Sequence, residues 1–464
     1  MSIIGAAAVP HPPIILPEIG RGEESKISAT TAAYEEVARR IVELDPETII
    51  ITSPHTIMYT DYFHISPGEG ASGTMAQFRA PQVAIAINYD VEFVQKLTAS
   101  AMAEGVSAGT LGERNPSLDH GTMIPLRFLQ KAGLDFDHVK FLRIGLSGLN
   151  AATHYKLGQI IAHVSNEIGR KVFFLASGDL SHKLKADGPY GFVDEGPKFD
   201  EQLMNNLGGA DFLSLLTMDD KLCSRAAECG LRSFWIMAGA LDKFSVAAER
   251  MSYESTFGVG YGIVYFDVGA EDNSRNFATK LAQIKAHETA ERKANEDDFV
   301  KLARYSLETF VKTHKPADLP DDLPAELMNR RAGAFVSLHK DGNLRGCIGT
   351  IMATQDNLAE EIIQNAISAC SRDPRFSPVT LEELEDIEYS VDVLGDPERV
   401  FSLKDLDARR YGVIVENNGR RGLLLPDLEG VDTVEEQIAI AKRKAGIRPE
   451  EKVALFRFEV VRHH

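Results

Sequence analysis

Three apolar segments that each run into a histidine constrain this chain more than any other feature. Residues 2–9 are small and aliphatic throughout and lead into Pro10-His11-Pro12-Pro13. Residues 48–52 (TIIIT) lead into Ser53-Pro54-His55, and residues 171–176 (KVFFLA) lead into Ser177-Gly178-Asp179-Leu180-Ser181-His182. Such runs suit buried strands, and a proline, lacking the ladder N–H, forbids their continuation. His11, His55 and His182 therefore follow strand ends. In an open parallel sheet, ligands bind beyond the carboxyl ends of the strands, so these imidazoles are expected to share one crevice.

The stretches between these segments read as helices. Residues 25–44 carry Ile27, Tyr34, Val37, Ala38 and Ile41 close to helical spacing and stop at Asp45-Pro46, so the chain opens as strand, helix, strand. Further strands are predicted at 83–87, 139–144 and 262–268, and helices at 90–104, 150–168, 199–207 and 231–241. Asp119 and His120 stand where a loop enters a helix. This alternation predicts an α/β domain with a mostly parallel sheet flanked by helices. Gly258, Gly260 and Gly262 alternate in ESTFGVGYG, but no helix start follows, which favours close backbone approach in a strand over a phosphate loop.

At residues 271–298 the composition turns polar and charged without proline or glycine, as in a solvated helical connector. The expected domains are therefore 1–275 and 290–464. In the second, helices at 299–313, 358–371 and 433–445 and strands at 332–339, 387–394 and 453–460, with the segments 343–351 and 422–426 between them, predict a smaller α+β unit. A length of 464 residues agrees with two or three domains.

Fifty basic against 68 acidic residues leave a net charge of −18, which argues against nucleic acid or an anionic membrane as a general partner. No apolar stretch approaches the roughly 20 residues that span a bilayer, and no charged segment precedes the first apolar run. A cytoplasmic protein is expected. Cys223, Cys229, Cys347 and Cys370 form no C-x-x-C pair, so neither a disulfide framework nor a structural zinc site is predicted.

One histidine after a strand is more often a hydrogen-bonded structural residue than a ligand; three in the same context point to chemistry. Two histidines and one carboxylate on one face of a metal, with open positions, form the facial triad of non-haem iron(II) oxygenases. His11 and His55 are the natural imidazole pair, and Asp119, Asp179, Glu228 and Glu254 are the candidate carboxylates.

Taken together, HPPI, SPH, LDHG, SGDLSH and SYESTFGVGYG resemble, in order, the LigB-like class III extradiol ring-cleavage dioxygenases and the related Memo proteins, over about residues 1 to 270. The resemblance implies a metal, Fe(II) or another divalent ion such as zinc or manganese, held by His11, His55 and Glu254. It implies His182 as the acid/base and His120 as a second catalytic histidine near substrate or dioxygen. A charge at Glu254, in apolar and glycine-rich surroundings, would be costly to bury unless a metal coordinated it. An imidazole such as His182 titrates near neutrality, as an acid/base should. The implied reaction opens a catechol-like or phenolic small molecule with dioxygen; the alternatives are a non-oxidative hydrolytic, C–C cleaving or isomerising step on a phenolic or keto substrate, or a metal-binding redox adaptor.

In the second half, NLRGCIGT, RDPRF and GLLLP resemble the AMMECR family over about residues 295 to 464. Arg345, Cys347 and Arg375 are the candidates for a groove there. The arginines would line an anion site or pair with local carboxylates, and Cys347 would be a nucleophile or a small buried thiol. Fused Memo-like and AMMECR-like halves are similar to two-part systems found beside radical SAM proteins, which implies such a partner; a homo-oligomer is also expected.

Overall fold

Strands β1 (Ile3–Val9), β2 (Thr48–Ser53), β3 (Lys140–Gly145) and β4 (Val172–Ser177) are apolar on both faces because both faces are covered. Successive side chains enter two separate cores. Ala8, Ile50, Ile144 and Phe174 point into one, while Ala7, Ile51, Phe141 and Leu175 point into the other. In this computed structural model, which describes residues 2–340, 343–428 and 430–464, the chain divides into two units, Met1–Ile284 and Lys285–His464.

With β5 (Phe244–Glu254) and β6 (Tyr261–Glu271), the first unit forms a six-stranded sheet in the order β3-β2-β4-β1-β6-β5. The first four are mutually parallel; β6 runs antiparallel to β1, and β5 to β6. The sheet is mixed, with a parallel majority. Helices α1 (Ser28–Leu44) and α2 (His120–Lys131) bury Tyr34, Ile41, Ile124 and Leu126 against one face. Helices α3 (Ala151–Ile168) and α4 (Leu231–Ala240) bury Leu157, Ile161, Phe234 and Ile236 against the other.

Two features depart from the sequence expectations. The segment expected as a strand at 83–87 lies in Ala80–Asn88, but it pairs with Gly70–Met75 in a separate ribbon whose alternate residues face solvent. Strand β5 carried no clear apolar alternation, because as an edge strand it buries only Ser252 fully. The glycine-rich stretch is the hairpin that joins β5 to β6, and Gly258 takes the left-handed φ of +83° that only glycine adopts cheaply.

Among the described residues, the second unit holds two antiparallel four-stranded sheets. One orders Asn343–Gly349, Ala334–Lys340, Ile387–Leu394 and Val460–His463, packed on the helices Asp298–Thr313 and Leu358–Ser371. The other orders Glu398–Val400, Ala454–Phe458, Gly412–Asn417 and Arg420–Leu424, packed on Val434–Lys444. The polar connector is the helix Phe277–Asn295, which contains the division between the units. No helix among the described residues is long and apolar enough to cross a membrane.

Under the loop that follows β4, Asp200 is 1% exposed and accepts the Ser181 N–H and the Tyr253 hydroxyl, each at 2.7 Å. Burial raises its pKa to about 7 against those two hydrogen bonds. A raised carboxyl pKa gives stability that is complete below the unfolded value of about 3.9 and is lost as pH rises through the folded one. Asp200→Asn should therefore flatten the dependence of Tm on pH across that window. A variant whose Tm falls with pH as steeply as the parent's would show that another group titrates.

Candidate metal centre

Strands β2, β4 and β1 are neighbours in the sheet, so their carboxyl ends lie side by side. His11 stands two residues beyond β1 and His55 two beyond β2, and His120 is the first residue of α2. Nε2 of His11 lies 2.9 Å from Nε2 of His55, and one ring nitrogen from each of His11, His55 and His120 lies within 4.8 Å of the other two. The His55 and His120 rings are 4.0 Å apart between centroids, and Phe78 sets its ring at 5.4 Å from His120.

A proline inside α2 prepares the partner of His11. Pro125 has no N–H to give the Gly121 carbonyl four residues earlier, and that oxygen instead accepts the Ser177 hydroxyl at 2.7 Å. With its proton committed, Ser177 Oγ accepts from Nδ1–H of His11 at 2.9 Å. The proton is thereby placed on Nδ1, and the Nε2 lone pair is left facing the other histidines. Gly121 itself is required by close approach: a Cβ there would lie 2.5 Å from Ser53 Oγ and 3.3 Å from the His55 ring.

Asp119 ties the remaining two histidines together. As the N-cap of α2 it accepts from Thr122 N–H at 3.0 Å and from the Thr122 hydroxyl at 2.9 Å. It also accepts the Ser53 hydroxyl at 2.6 Å, and Ser53 Oγ in turn accepts the His55 N–H at 3.2 Å. Burial pushes its pKa up, but the Ser53 and Thr122 hydrogen bonds and the Arg143 charge outweigh it and hold the carboxyl below its ordinary range.

Burial, together with the neighbouring histidines, lowers His11 and His120 to about 3, and burial lowers His55 as well. All three are neutral at neutral pH, and the His11 Nε2 lone pair meets the Nε2 of His55, which either donates its own N–H there or shares a cation with it. Two such nitrogens 2.9 Å apart repel unless a proton or a cation lies between them. They also have the spacing of ligands at right angles about 2.1 Å from one ion. Imidazole suits iron, zinc, copper and nickel, so the residues present fit a divalent transition metal. Asp179, 6% exposed, accepts the His11 N–H at 2.7 Å, and burial raises its pKa to about 6.

The other expected site residues divide. Glu254 does not join the three histidines: its Oε2 accepts the N–H and hydroxyl of Thr30 in the first turn of α1, each at 2.7 Å. The N-terminus of α1 thereby offsets the charge that the sequence made costly. The third imidazole, His120, stands where a carboxylate was expected. His182 lies close enough to act on the titration of His11 and Asp179, with a buried, unpartnered Nδ1 and its ring 5.2 Å from that of Tyr190.

Sequence reasoning missed Cys229, whose Sγ is 3.7 Å from His11 Nε2. It was set aside with the other cysteines for want of a paired thiol; its position before the apolar run of α4 was the available signal.

In the second unit Arg345 is bound to Glu383 at 2.9 and 3.0 Å and to the carbonyls of Ser377 and Pro378, and Arg375 to Asp373 at 2.7 and 2.9 Å. Arg375 also donates to the Cys347 carbonyl, and Cys347 Sγ accepts the Ser337 hydroxyl at 3.2 Å. The arginines pair with local carboxylates, the plainer of the two expectations.

If Ser177 sets the tautomer of His11, Ser177→Ala should weaken divalent-metal binding by about 10- to 100-fold, the usual effect of losing a group that orients a ligand. Calorimetric titration of the metal-free protein with zinc reads this directly, and an unchanged affinity would remove Ser177 from the account.

Residues 5–264 match the family described as the catalytic LigB subunit of aromatic ring-opening dioxygenase, and residues 300–463 match the AMMECR1 family. A protein of Clostridium acetobutylicum is 41% identical over 471 aligned residues, covering 100% of this chain and 99% of its own length. A protein of Thermotoga maritima is 54% identical over 171 residues, 36% of this chain and 98% of its own. The crystal structure of a Pyrococcus horikoshii protein, 34% identical, covers 35% of this chain and 88% of its own with a TM-score of 0.34. The chain belongs to the LigB family, with an AMMECR1 domain following on the same polypeptide.

Proposed function

We propose that the first unit is a metal-dependent enzyme that opens the ring of a catechol-like or phenolic small molecule, with iron(II) held by His11, His55 and His120. The reading is carried by one observation: two neutral imidazoles direct Nε2 atoms at each other across 2.9 Å, with the Nδ1 proton of one already spoken for. Membership of the LigB family supports an enzyme of the dioxygenase superfamily. Bound iron(II) would supply the redox chemistry by which dioxygen cleaves a ring beside a diol.

The remaining roles fall to residues around the histidines. His182 would take a phenolic proton, since its Nδ1 has no other partner. Phe78 and Tyr190, in ring contact with His120 and His182, would flank a planar substrate and keep water from the crevice. Asp179 would hold the His11 backbone while adding negative charge near a cationic centre.

A second reading is favoured by the third imidazole. A set of three histidines is also the ligand set of zinc sites that act as Lewis acids, so a non-oxidative step on a phenolic or keto substrate uses the same centre.

Anaerobic purification with metal analysis, then a diol panel assayed with and without dioxygen, separates the two. About one ion per chain is expected, lost in His11→Ala, His55→Ala and His120→Ala and retained in Glu254→Ala. Turnover that is unchanged under argon would eliminate ring-opening dioxygenation in favour of the Lewis-acid reading. In His182→Gln the metal should remain while kcat falls by about two to four orders of magnitude; loss of the metal instead would make His182 a ligand.

A further inference from the structure

Behind the histidines, on the side of the sheet edge, lies a buried group of charges that the proposed chemistry does not use. Arg143 on β3, 1% exposed, donates from Nε to Ser66 Oγ at 2.7 Å and from Nη1 to the Ser117 carbonyl at 2.9 Å. Its Nη1 also stands 3.9 Å from Asp119 Oδ2, and its Nη2 stands 3.6 Å from Glu113 Oε2. His64, fully buried, brings Nε2 to 3.8 Å from the same Glu113 oxygen. Nη2 of Arg143, both ring nitrogens of His64 and Oε2 of Glu113 are all buried without a hydrogen-bond partner.

Such a cluster is a poor device for stability. Its ion-pair distances exceed hydrogen-bonding range, and taking charges out of water is repaid only by close, fully bonded geometry. Well-packed apolar side chains of similar volume would hold β3 against its neighbours as well or better. What an apolar cluster could not do is face the Asp119 carboxylate with a fixed positive charge.

Asp119 is the point where the cluster meets the centre. One of its oxygens reaches His55 through Ser53, and both oxygens fix the first turn of α2, in which His120 is the first residue. Arg143 itself cannot shift independently, because β3 pairs with β2 and places Arg143 opposite Ile51, two residues before Ser53. The spacing between His55 and His120 is therefore set by a chain of contacts that starts at a buried guanidinium.

We infer that Arg143 is a positioning residue of the metal centre: its charge, oriented by Ser66, Ser117 and Glu113, keeps the Asp119 carboxylate in the place where it holds His55 and His120 at ligand spacing. This rests on the metal reading above for the occupant of the centre, but the arrangement of residues stands apart from which reaction the centre performs. The effect is electrostatic and geometric, so it appears in metal affinity and coordination before it appears in activity.

The test uses the full chain stripped of metal and titrated with cobalt(II), whose visible absorption reports coordination geometry. Arg143→Met should lower cobalt affinity by about 10- to 100-fold and alter the absorption band, and Arg143→Lys, which keeps the charge, should recover most of both. Because the effect passes through Asp119, removing Arg143 in an Asp119→Asn background should cost no further affinity.

A folded Arg143→Met protein with the parent's affinity and spectrum overturns the inference, as does a lowered Tm with an unaltered spectrum, which would mark Arg143 as structural only. If Arg143→Met does not fold, the comparison of Asp119→Asn with Asp119→Asn/Arg143→Met decides. A further tenfold loss there shows that Arg143 acts by another route and refutes it. A parent protein that binds no cobalt overturns the metal reading, and this inference falls with it.

Discussion

The hydroxyl of Ser177 is the joint on which the centre depends. It sits at the end of β4, between the strand that delivers His11 and the helix that delivers His120, and its one proton goes to the Gly121 carbonyl. That commitment makes its oxygen an acceptor, and so decides which nitrogen of His11 carries a proton. The arrangement exists because Pro125 cannot supply the N–H that an ordinary helix would give to Gly121. A residue usually read as a flaw in a helix is here what frees a carbonyl for use. The same strand order that puts β4 between β2 and β1 then brings three loops to one place without any long connection.

Much of the first unit was legible because its strands are buried on both faces. Runs such as TIIIT and KVFFLA are unambiguous when no solvent face interrupts them, and a proline or glycine after each marks the end. His11 and His55 could be placed at strand ends by this grammar, and His120 at a helix start by the apolar segment that follows it. Edge elements were harder: β5 keeps most side chains at the surface, so its pattern is set by solubility and hides the strand. Glu254 was harder for a different reason. The sequence rightly registered that a carboxylate among glycines needs a counterpart, but that counterpart is the start of α1, more than two hundred residues away. Local context states a need and cannot say which distant group meets it.

The second unit makes the same point with arginines. LRGCIG and RDPRF place two guanidiniums near a thiol, which suggests a groove when read as spacing alone. In the folded chain Arg345 clamps Glu383 and two carbonyls of the segment that follows RDPRF, while Arg375 closes on Asp373, two residues before it. Asp373 also accepts the Cys347 N–H at 2.9 Å, so the loop is stitched to the strand Asn343–Gly349. Both motifs read first as the fastening of a loop to a hairpin. A guanidinium has five donors, and where most are taken by carboxylates and carbonyls little is left for an anion.

Where polar groups are left unsatisfied therefore says more than where they are merely dense. In the second unit the buried Glu361 accepts four hydrogen bonds, from Thr350, Thr354 and Gln355, and its network is complete. In the first unit the unpartnered buried atoms include Nδ1 of His182 beside the centre and those of His64, Arg143 and Glu113 behind it. Folding alone gives no reason to retain them, since each lowers stability and none is needed to close a helix or pair a strand. Those beside and behind the centre lie where three imidazoles are held neutral, oriented and within reach of one another, a demand that filling a core does not make.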